Sequence, residues 1–144
     1  MKISNLKTIL LFTLLLGLSQ WGHAQVLYNS GATIHINSGT TVQVNGSAQN
    51  QTGTINVSTA TAANLYITGS LTNNATINGY GNIHVNGDWI NNSTFNSFTG
   101  TVSLEGANQN ISGSVSTSFF NLTLLGTGIK TQTIDEIVTG TLNL

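Results

Sequence analysis

A five-residue phrase that returns about every twenty residues restricts the fold of this chain more than any other feature. The phrase reads apolar, any, apolar, any, Gly, and its closing glycines are 23, 18, 19 and 20 residues apart. A near-constant period of this length is typical of repeat proteins, in which each unit adds one layer to a stack. The five copies are 42–46 (VQVNG), 65–69 (LYITG), 83–87 (IHVNG), 102–106 (VSLEG) and 122–126 (LTLLG), and a sixth begins at Leu142.

Each copy has the pattern of a short β-strand with one buried face, because its apolar residues recur with a period of two. The closing glycine indicates a corner that a side chain would obstruct. Weaker alternating pieces lie between the copies, so one repeat holds two or three strands separated by turn-forming residues. These pieces are 34–36, 55–57, 77, 89–90, 95, 111 and 134. No stretch after residue 25 has the period of an amphipathic helix, so residues 25–144 are predicted to be all-β.

A repeat this short cannot bury its own apolar face, so we expect the repeats to stack as a parallel β-solenoid (β-helix) with about 20 residues per coil. Copies would pair in parallel at about 4.8 Å, so six rungs would make a rod of roughly 25–30 Å. The alternative is an antiparallel β-sandwich, but a sandwich does not require so regular a phrase. Two aliphatic columns would fill the interior: Val42, Leu65, Ile83, Val102, Leu122 and Leu142 in one, and Val44, Ile67, Val85, Leu104, Leu124 and Leu144 in the other.

The composition suits such a stack. Thr, Asn, Ser and Gly supply 71 of the 144 residues, and only 5% are charged. Corners need Gly and Asn for positive φ, stacked Asn and Thr can hydrogen-bond from rung to rung, and like charges one rung apart would repel. The chain has no Cys, which excludes disulfides and Cys-based metal or redox sites. Three Lys and no Arg are too few cations to neutralise a nucleic acid backbone.

The first 24 residues are predicted to be a secretory signal peptide that is cleaved after Ala24. Lys2 and Lys7 precede an apolar run over 9–18, and small residues end the segment before Gln25. The run is about half of the ~20 residues that a membrane-spanning helix needs, which disfavours the alternative of a permanent anchor. Residues 25–144 then carry one Lys and four carboxylates, for a net charge of −3. We expect a secreted or cell-surface protein with no membrane span after signal removal.

The last third of the chain has a more specific wording: 98–106 (FTGTVSLEG), 109–113 (QNISG), 119–124 (FFNLTL) and 138–144 (VTGTLNL). It resembles a repeat of β-helical stalks in large secreted bacterial surface proteins, often exported by the type IX secretion route. Residues 40–97 match only through the strand phrase and through 87–89 (GDW), and Leu104 stands where an aromatic residue is usual. The resemblance implies an adhesin, stalk or spacer and brings no catalytic residues. Because the sequence stops inside a repeat without a polar cap, we expect the solenoid to be truncated at its C-terminus.

Parallel β-helices also include polysaccharide lyases and hydrolases, but this chain has few groups for such chemistry. Asp88 and Glu105 form the one plausible carboxylate pair, on adjacent rungs near one edge. Asp135 and Glu136 are neighbours in sequence, so in a strand they would point to opposite faces. His35 and His84 each lie between inward aliphatic residues and should point outward, as solvated side chains. We therefore expect no enzyme, no catalytic residue, no cofactor and no metal site.

The outward column of the main face is the predicted contact surface, for a polysaccharide or another cell-surface protein. It consists of Gln43, Tyr66, His84, Ser103 and Thr123, flanked by Thr41, Asn64, Asn82, Thr101 and Asn121. The alternative is a sheet face that contacts only water. A regular Thr grid would indicate ice binding, but Tyr66 and His84 interrupt it. Exposed end rungs also predict self-association.

The sequence thus favours a secreted structural or adhesin-like surface module that presents a polar Thr/Asn-rich face and is not catalytic. The alternative is a carbohydrate-binding or carbohydrate-active β-helix. Convergence of Asp88, Glu105 and His84 with Tyr66 in a groove would favour that alternative. Scattering of these residues along corners would contradict it.

Overall fold

The chain is a parallel β-solenoid of about five turns with about 21 residues per coil, as seen in a computed structural model. The structure describes residues 26–58 and 63–144, and the predicted signal segment, residues 1–24, lies outside them. These described residues form sixteen strands and no helix. The predicted fold class and repeat length are therefore confirmed.

The strands follow the repeat phrase and the weaker pieces between its copies. In chain order they are β1 (Leu27–Ile36), β2 (Thr41–Val44), β3 (Ala48–Val57), β4 (Asn64–Ile67), β5 (Leu71–Asn73), β6 (Thr76–Gly79), β7 (Asn82–Val85), β8 (Trp89–Asn91), β9 (Thr94–Asn96), β10 (Thr101–Leu104), β11 (Gln109–Gly113), β12 (Ser118–Phe119), β13 (Asn121–Leu124), β14 (Lys130–Gln132), β15 (Ile137–Val138) and β16 (Leu142–Asn143). One expected piece differs, because Ile134 lies in a bend between β14 and β15.

Every strand pair in the described residues is parallel, which rules out the antiparallel sandwich. The phrase copies form the first sheet, in the order β16-β13-β10-β7-β4-β2. The second sheet has the path β14-β11-β8-β5-β3-β6-β9, with β1 on β3, and a third pairs β12 with β15. From β4 onward each turn therefore contributes one strand to the first sheet and two to the remaining sides of the coil.

The first aliphatic column has the predicted register, from Val42 through Leu65, Ile83, Val102 and Leu122 to Leu142. Its central members are buried, but the column is not an unbroken core. Leu142 is 50% exposed and Leu144, which ends the second column, is 92% exposed. Both residues belong to the last rung that the structure describes.

Aromatic side chains fill the interior of the middle turns. The Trp89 and Phe95 rings meet edge to face with their centroids 4.9 Å apart, and Phe119 packs 5.3 Å from Trp89. The indole Nε1 donates a hydrogen bond to the hydroxyl of Thr117, which is itself buried. The polar end of Trp89 is thereby satisfied inside the core.

The corner glycines are required more by close stacking than by positive φ. Gly126 does adopt a φ of 87°. At Gly87, however, an added Cβ would lie 2.5 Å from the carbonyl carbon of Gly69 on the rung below, without any positive φ. The expectation that Asn would supply positive φ is wrong, because Phe98 is the one non-glycine residue with positive φ in the described ranges. Corner residues are small because successive corners lie directly on one another.

A ladder of buried asparagines is the main polar feature of the interior. Asn29, Asn50, Asn73 and Asn91 occupy successive rungs, and each is at most 2% exposed. Each side-chain amide donates to the next side-chain oxygen, at 2.8, 3.1 and 2.9 Å along the ladder. The first three amides also donate to backbone carbonyls of the following strand segment, those of Ala32, Thr76 and Thr94. The ladder satisfies buried polar groups at the bend where the chain changes direction.

Replacing one member of this ladder should destabilise the whole coil. Asn73→Leu keeps a similar volume but removes the hydrogen bonds to Asn50, Asn91 and the Thr94 carbonyl, leaving buried groups unpaired. We expect the free energy of unfolding, measured by urea denaturation, to fall by about 3–5 kcal/mol. The control is Asn96→Thr, which removes one exposed ladder bond to Asn78 and should cost less than about 1 kcal/mol. Equal losses in the two variants would contradict a structural role for the buried ladder.

Candidate functional site

The structure places the five predicted contact residues in one register column on the outer side of the first sheet. Gln43, Tyr66, His84, Ser103 and Thr123 are Cα partners across consecutive strands. They are not equally available. Gln43, Tyr66 and His84 line a cleft, and Thr123 does not belong to its lining. Ser103, expected to point into solvent, is only 7% exposed.

Two stacked rings form the wall of this cleft. The phenol ring of Tyr66 and the imidazole ring of His84 are nearly parallel, with an interplanar angle of 9° and centroids 4.0 Å apart. The in-register pairing of β4 with β7 brings the two residues together, and rung spacing matches the separation of stacked rings. Tyr66 remains 37% exposed, so part of its ring is open to solvent.

Glu105 fixes the imidazole from the next rung. Its Oε1 lies 2.5 Å from Nδ1 of His84, and the two side chains are 28% and 18% exposed. The sequence carried a signal for this contact that the search for carboxylate pairs missed. Since His84 aligns with Ser103, Glu105 lies two residues farther along the neighbouring strand and on the same face. A partly exposed ion pair of this kind contributes on the order of 0.2–1 kcal/mol to the free energy of unfolding when the imidazole carries a proton.

The cleft has a volume of about 280 Å³ and is lined by residues of β2, β4 and β7, of the corners that follow β4 and β7, and by Glu105 just after β10. Its polar groups are two hydroxyls, two amides, one phenol and the His84–Glu105 pair. The lining residues are Thr41, Gln43, Tyr66, Ile67, Thr68, His84, Asn86 and Glu105. Sequence reasoning missed Thr68 and Asn86, which follow the strand phrase at corners and carry no periodic signal.

Asp88 does not line this cleft, so only one member of the carboxylate pair considered from the sequence belongs to the site. The Asp88 carboxylate accepts hydrogen bonds from the backbone N–H and the side-chain amide of Asn110, at 2.7 and 3.4 Å. Its own N–H donates to the hydroxyl of Ser70. Asp88 therefore lies on the rungs of the second sheet, whereas Glu105 turns onto the outer face of the first. Of the four residues considered together from the sequence, Glu105, His84 and Tyr66 converge in the cleft and Asp88 does not.

Ser103, His84 and Glu105 are the residue types of a hydrolytic triad, but their hydrogen bonds do not form one. Nδ1 of His84 is held by Glu105, while its Nε2 is shielded from solvent and has no hydrogen-bond partner among the described residues. The contact between nucleophile and base that activates a serine hydroxyl is therefore not made in this structure. The arrangement positions a ring and a carboxylate beside an open cleft.

The described part of the chain contains no group of three or more His, Asp or Glu side chains arranged to hold a metal ion. Within the same residues, no helix is long and apolar enough to cross a membrane. Lys130 donates from Nζ to the carbonyls of Gly106 and Ala107 and to Oε1 of Gln109, and it does not line the cleft. Burial lowers the pKa of this ammonium group.

Comparisons with known proteins find no match to this chain among protein families, characterised proteins or solved structures. The solenoid architecture is therefore established by the strand register, and the resemblance to secreted surface repeats stays a prediction.

The pKa of Glu136 is raised from its ordinary value. Burial is the main cause, and it outweighs the hydrogen bonds from the backbone N–H and the hydroxyl of Thr117, which lower the pKa. Its second oxygen, Oε1, is buried without a hydrogen-bond partner in the described structure. The folded chain therefore binds a proton at Glu136 more tightly than the unfolded chain does.

The raised pKa makes folding less favourable as the pH rises. Stability contributed by protonated Glu136 is present near its ordinary pKa of 4.5 and is lost as the pH passes through the higher folded value. Between pH 4.5 and pH 7, we expect the free energy of unfolding of the wild-type chain to fall relative to that of Glu136→Gln. Asp135→Asn, at the exposed neighbouring position, removes the same formal charge and serves as the control in urea denaturation at both values of pH. An unchanged pH dependence in Glu136→Gln would refute this assignment.

Proposed function

We propose that this chain is a secreted, cell-surface β-solenoid module with a structural or adhesin-like role, which presents a stiff polar face and does not catalyse a reaction. The observation that carries the proposal is the continuous in-register pairing of rungs through the first sheet, from β2 to β16. Such pairing links every turn to its neighbours, so load applied along the coil is shared by many backbone hydrogen bonds.

Side-chain ladders on the outside support the same role. On one outer face, the Asn78 amide donates to Oδ1 of Asn56 and the Asn96 amide donates to Oδ1 of Asn78, at 2.6 and 2.8 Å. A second series joins Gln51 to Asn74 and Asn74 to Asn92, at 2.8 and 2.9 Å. These bonds order the polar surface while adding no charge, as suits a module that must stay hydrated and extended between a cell and its surroundings.

The predicted signal peptide and the low charge favour an extracellular location, and the resemblance of residues 98–144 to surface-protein repeats favours a stalk or adhesin. The second candidate is a carbohydrate-binding module, favoured by the cleft at Tyr66, His84 and Glu105. A polysaccharide or another surface protein would be the partner in either case.

Export and adhesion are tested together with one pair of strains. Bacteria that produce the full chain are compared with bacteria that produce Leu14→Asp with Leu15→Asp, which breaks the apolar run of the signal segment. We expect the wild-type chain to begin at Gln25 by N-terminal sequencing and to be digested by protease added to intact cells. Wild-type cells should also attach more strongly to polysaccharide-coated or protein-coated glass.

The variant is expected to keep its N-terminal segment, resist the added protease and lose the gain in attachment. An unprocessed, protease-protected wild-type chain would contradict secretion. Processing and surface exposure without any gain in attachment would contradict the adhesin role and leave a purely structural one.

A further inference from the structure

We propose that the cleft on the first sheet binds a segment of a neutral polysaccharide, in which one sugar ring stacks on the exposed face of Tyr66 and a neighbouring unit hydrogen-bonds to Glu105 and the other polar groups of the cleft. This inference deepens the second candidate function and rests on it, but it does not depend on the structural role. The argument uses the direction of the Tyr66 ring, the polar groups around it and the charge of the cleft.

Tyr66 offers one free ring face. Its other face is covered by the parallel ring of His84 at 4.0 Å. Because Tyr66 lies between His84 and Gln43 in the ladder, the free face is turned toward the Gln43 side. The Gln43 amide turns along its own strand, where it donates to Oδ1 of Asn45 at 2.9 Å, and Tyr66 remains 37% exposed. A flat aromatic surface next to a side-chain amide fits the C–H face of a pyranose and its hydroxyls.

The polar groups of the cleft are suited to hydroxyl groups. Glu105 uses Oε1 for His84, and a carboxylate retains further lone pairs on its second oxygen. Thr41 and Thr68 add hydroxyls and Asn86 adds an amide, so the cleft beside the ring contains both donors and acceptors. The bond to Glu105 and the stack on Tyr66 hold the imidazole in place before a ligand arrives, which lowers the ordering cost of binding.

The charge of the cleft selects against acidic sugars. Glu105 is a carboxylate, and no Lys or Arg lines the cleft. His84, the one group of the lining that can carry a positive charge, is paired with Glu105. The cleft therefore offers no unpaired cation to a uronic acid or a sulfate, so the expected ligand is a neutral hexose unit in a polysaccharide.

The test uses the full secreted chain in affinity gel electrophoresis with dextran, mannan and galactan as neutral probes and polygalacturonate as the acidic probe. We expect at least one neutral polysaccharide to retard the wild-type protein, and polygalacturonate to have no effect. Tyr66→Thr should weaken that binding about tenfold or more, because it removes the ring face. Tyr66→Phe keeps the face and should stay within about threefold of wild type, whereas Glu105→Gln should weaken binding about fivefold.

Tyr28→Thr is the matched control, because Tyr28 is an exposed tyrosine of β1 that does not line the cleft. It should bind like wild type. Far-ultraviolet circular dichroism during heating confirms that each variant folds, and Thr suits the strand position of Tyr66. The proposal is overturned if no neutral polysaccharide retards the protein, if polygalacturonate binds as well, or if Tyr28→Thr weakens binding as much as Tyr66→Thr. Digestion by protease added to intact cells tests the cell-surface module without any sugar ligand. Failure of the structural proposal and failure of sugar binding are therefore distinguishable.

Discussion

Adjacent turns of the coil lie one strand spacing apart, about 4.8 Å, so each side chain is held beside its counterpart on the next turn. This repeated distance explains most of the structure. Aliphatic counterparts such as Ile83 and Val102 form a continuous interior, and buried counterparts such as Asn50 and Asn73 must hydrogen-bond to each other. It also explains the rarity of charge, since like charges at this distance would repel on every rung.

The cleft follows from the same spacing. Rings on neighbouring rungs are brought to stacking distance by the sheet, without any loop to hold them. Tyr66 and His84 stack because β4 and β7 are in register, and Glu105 reaches His84 because it lies two residues beyond the register partner of that histidine. Three residues, one in each of three consecutive repeats, are thus enough to form a site on a solenoid.

The sequence predicted the coil because its repeat phrase recorded the register directly: aligning the phrase copies pairs Val42 with Leu65 and Val102 with Leu122, as in the structure. It could not predict which polar residues face inward. In the sequence, Asn50 and Asn73 look like any other turn-forming asparagine. Only the path of the chain at the bend places their side chains in the interior. Ser103 is a related case, since its place in the outward column was predicted and its burial was not.

The central claim is that successive copies of the phrase pair in parallel with the stated register, and cysteine pairs test it most directly because the chain has no native cysteine. Thr101→Cys with Asn121→Cys joins register partners on adjacent rungs, a separation that a disulfide spans. Thr101→Cys with Thr123→Cys places the second thiol two residues out of register, at about 8 Å, beyond that span. After mild oxidation, intact mass should show the loss of two hydrogens within a monomer for the first pair and not for the second. Disulfide formation in the second pair and not in the first would contradict the parallel register.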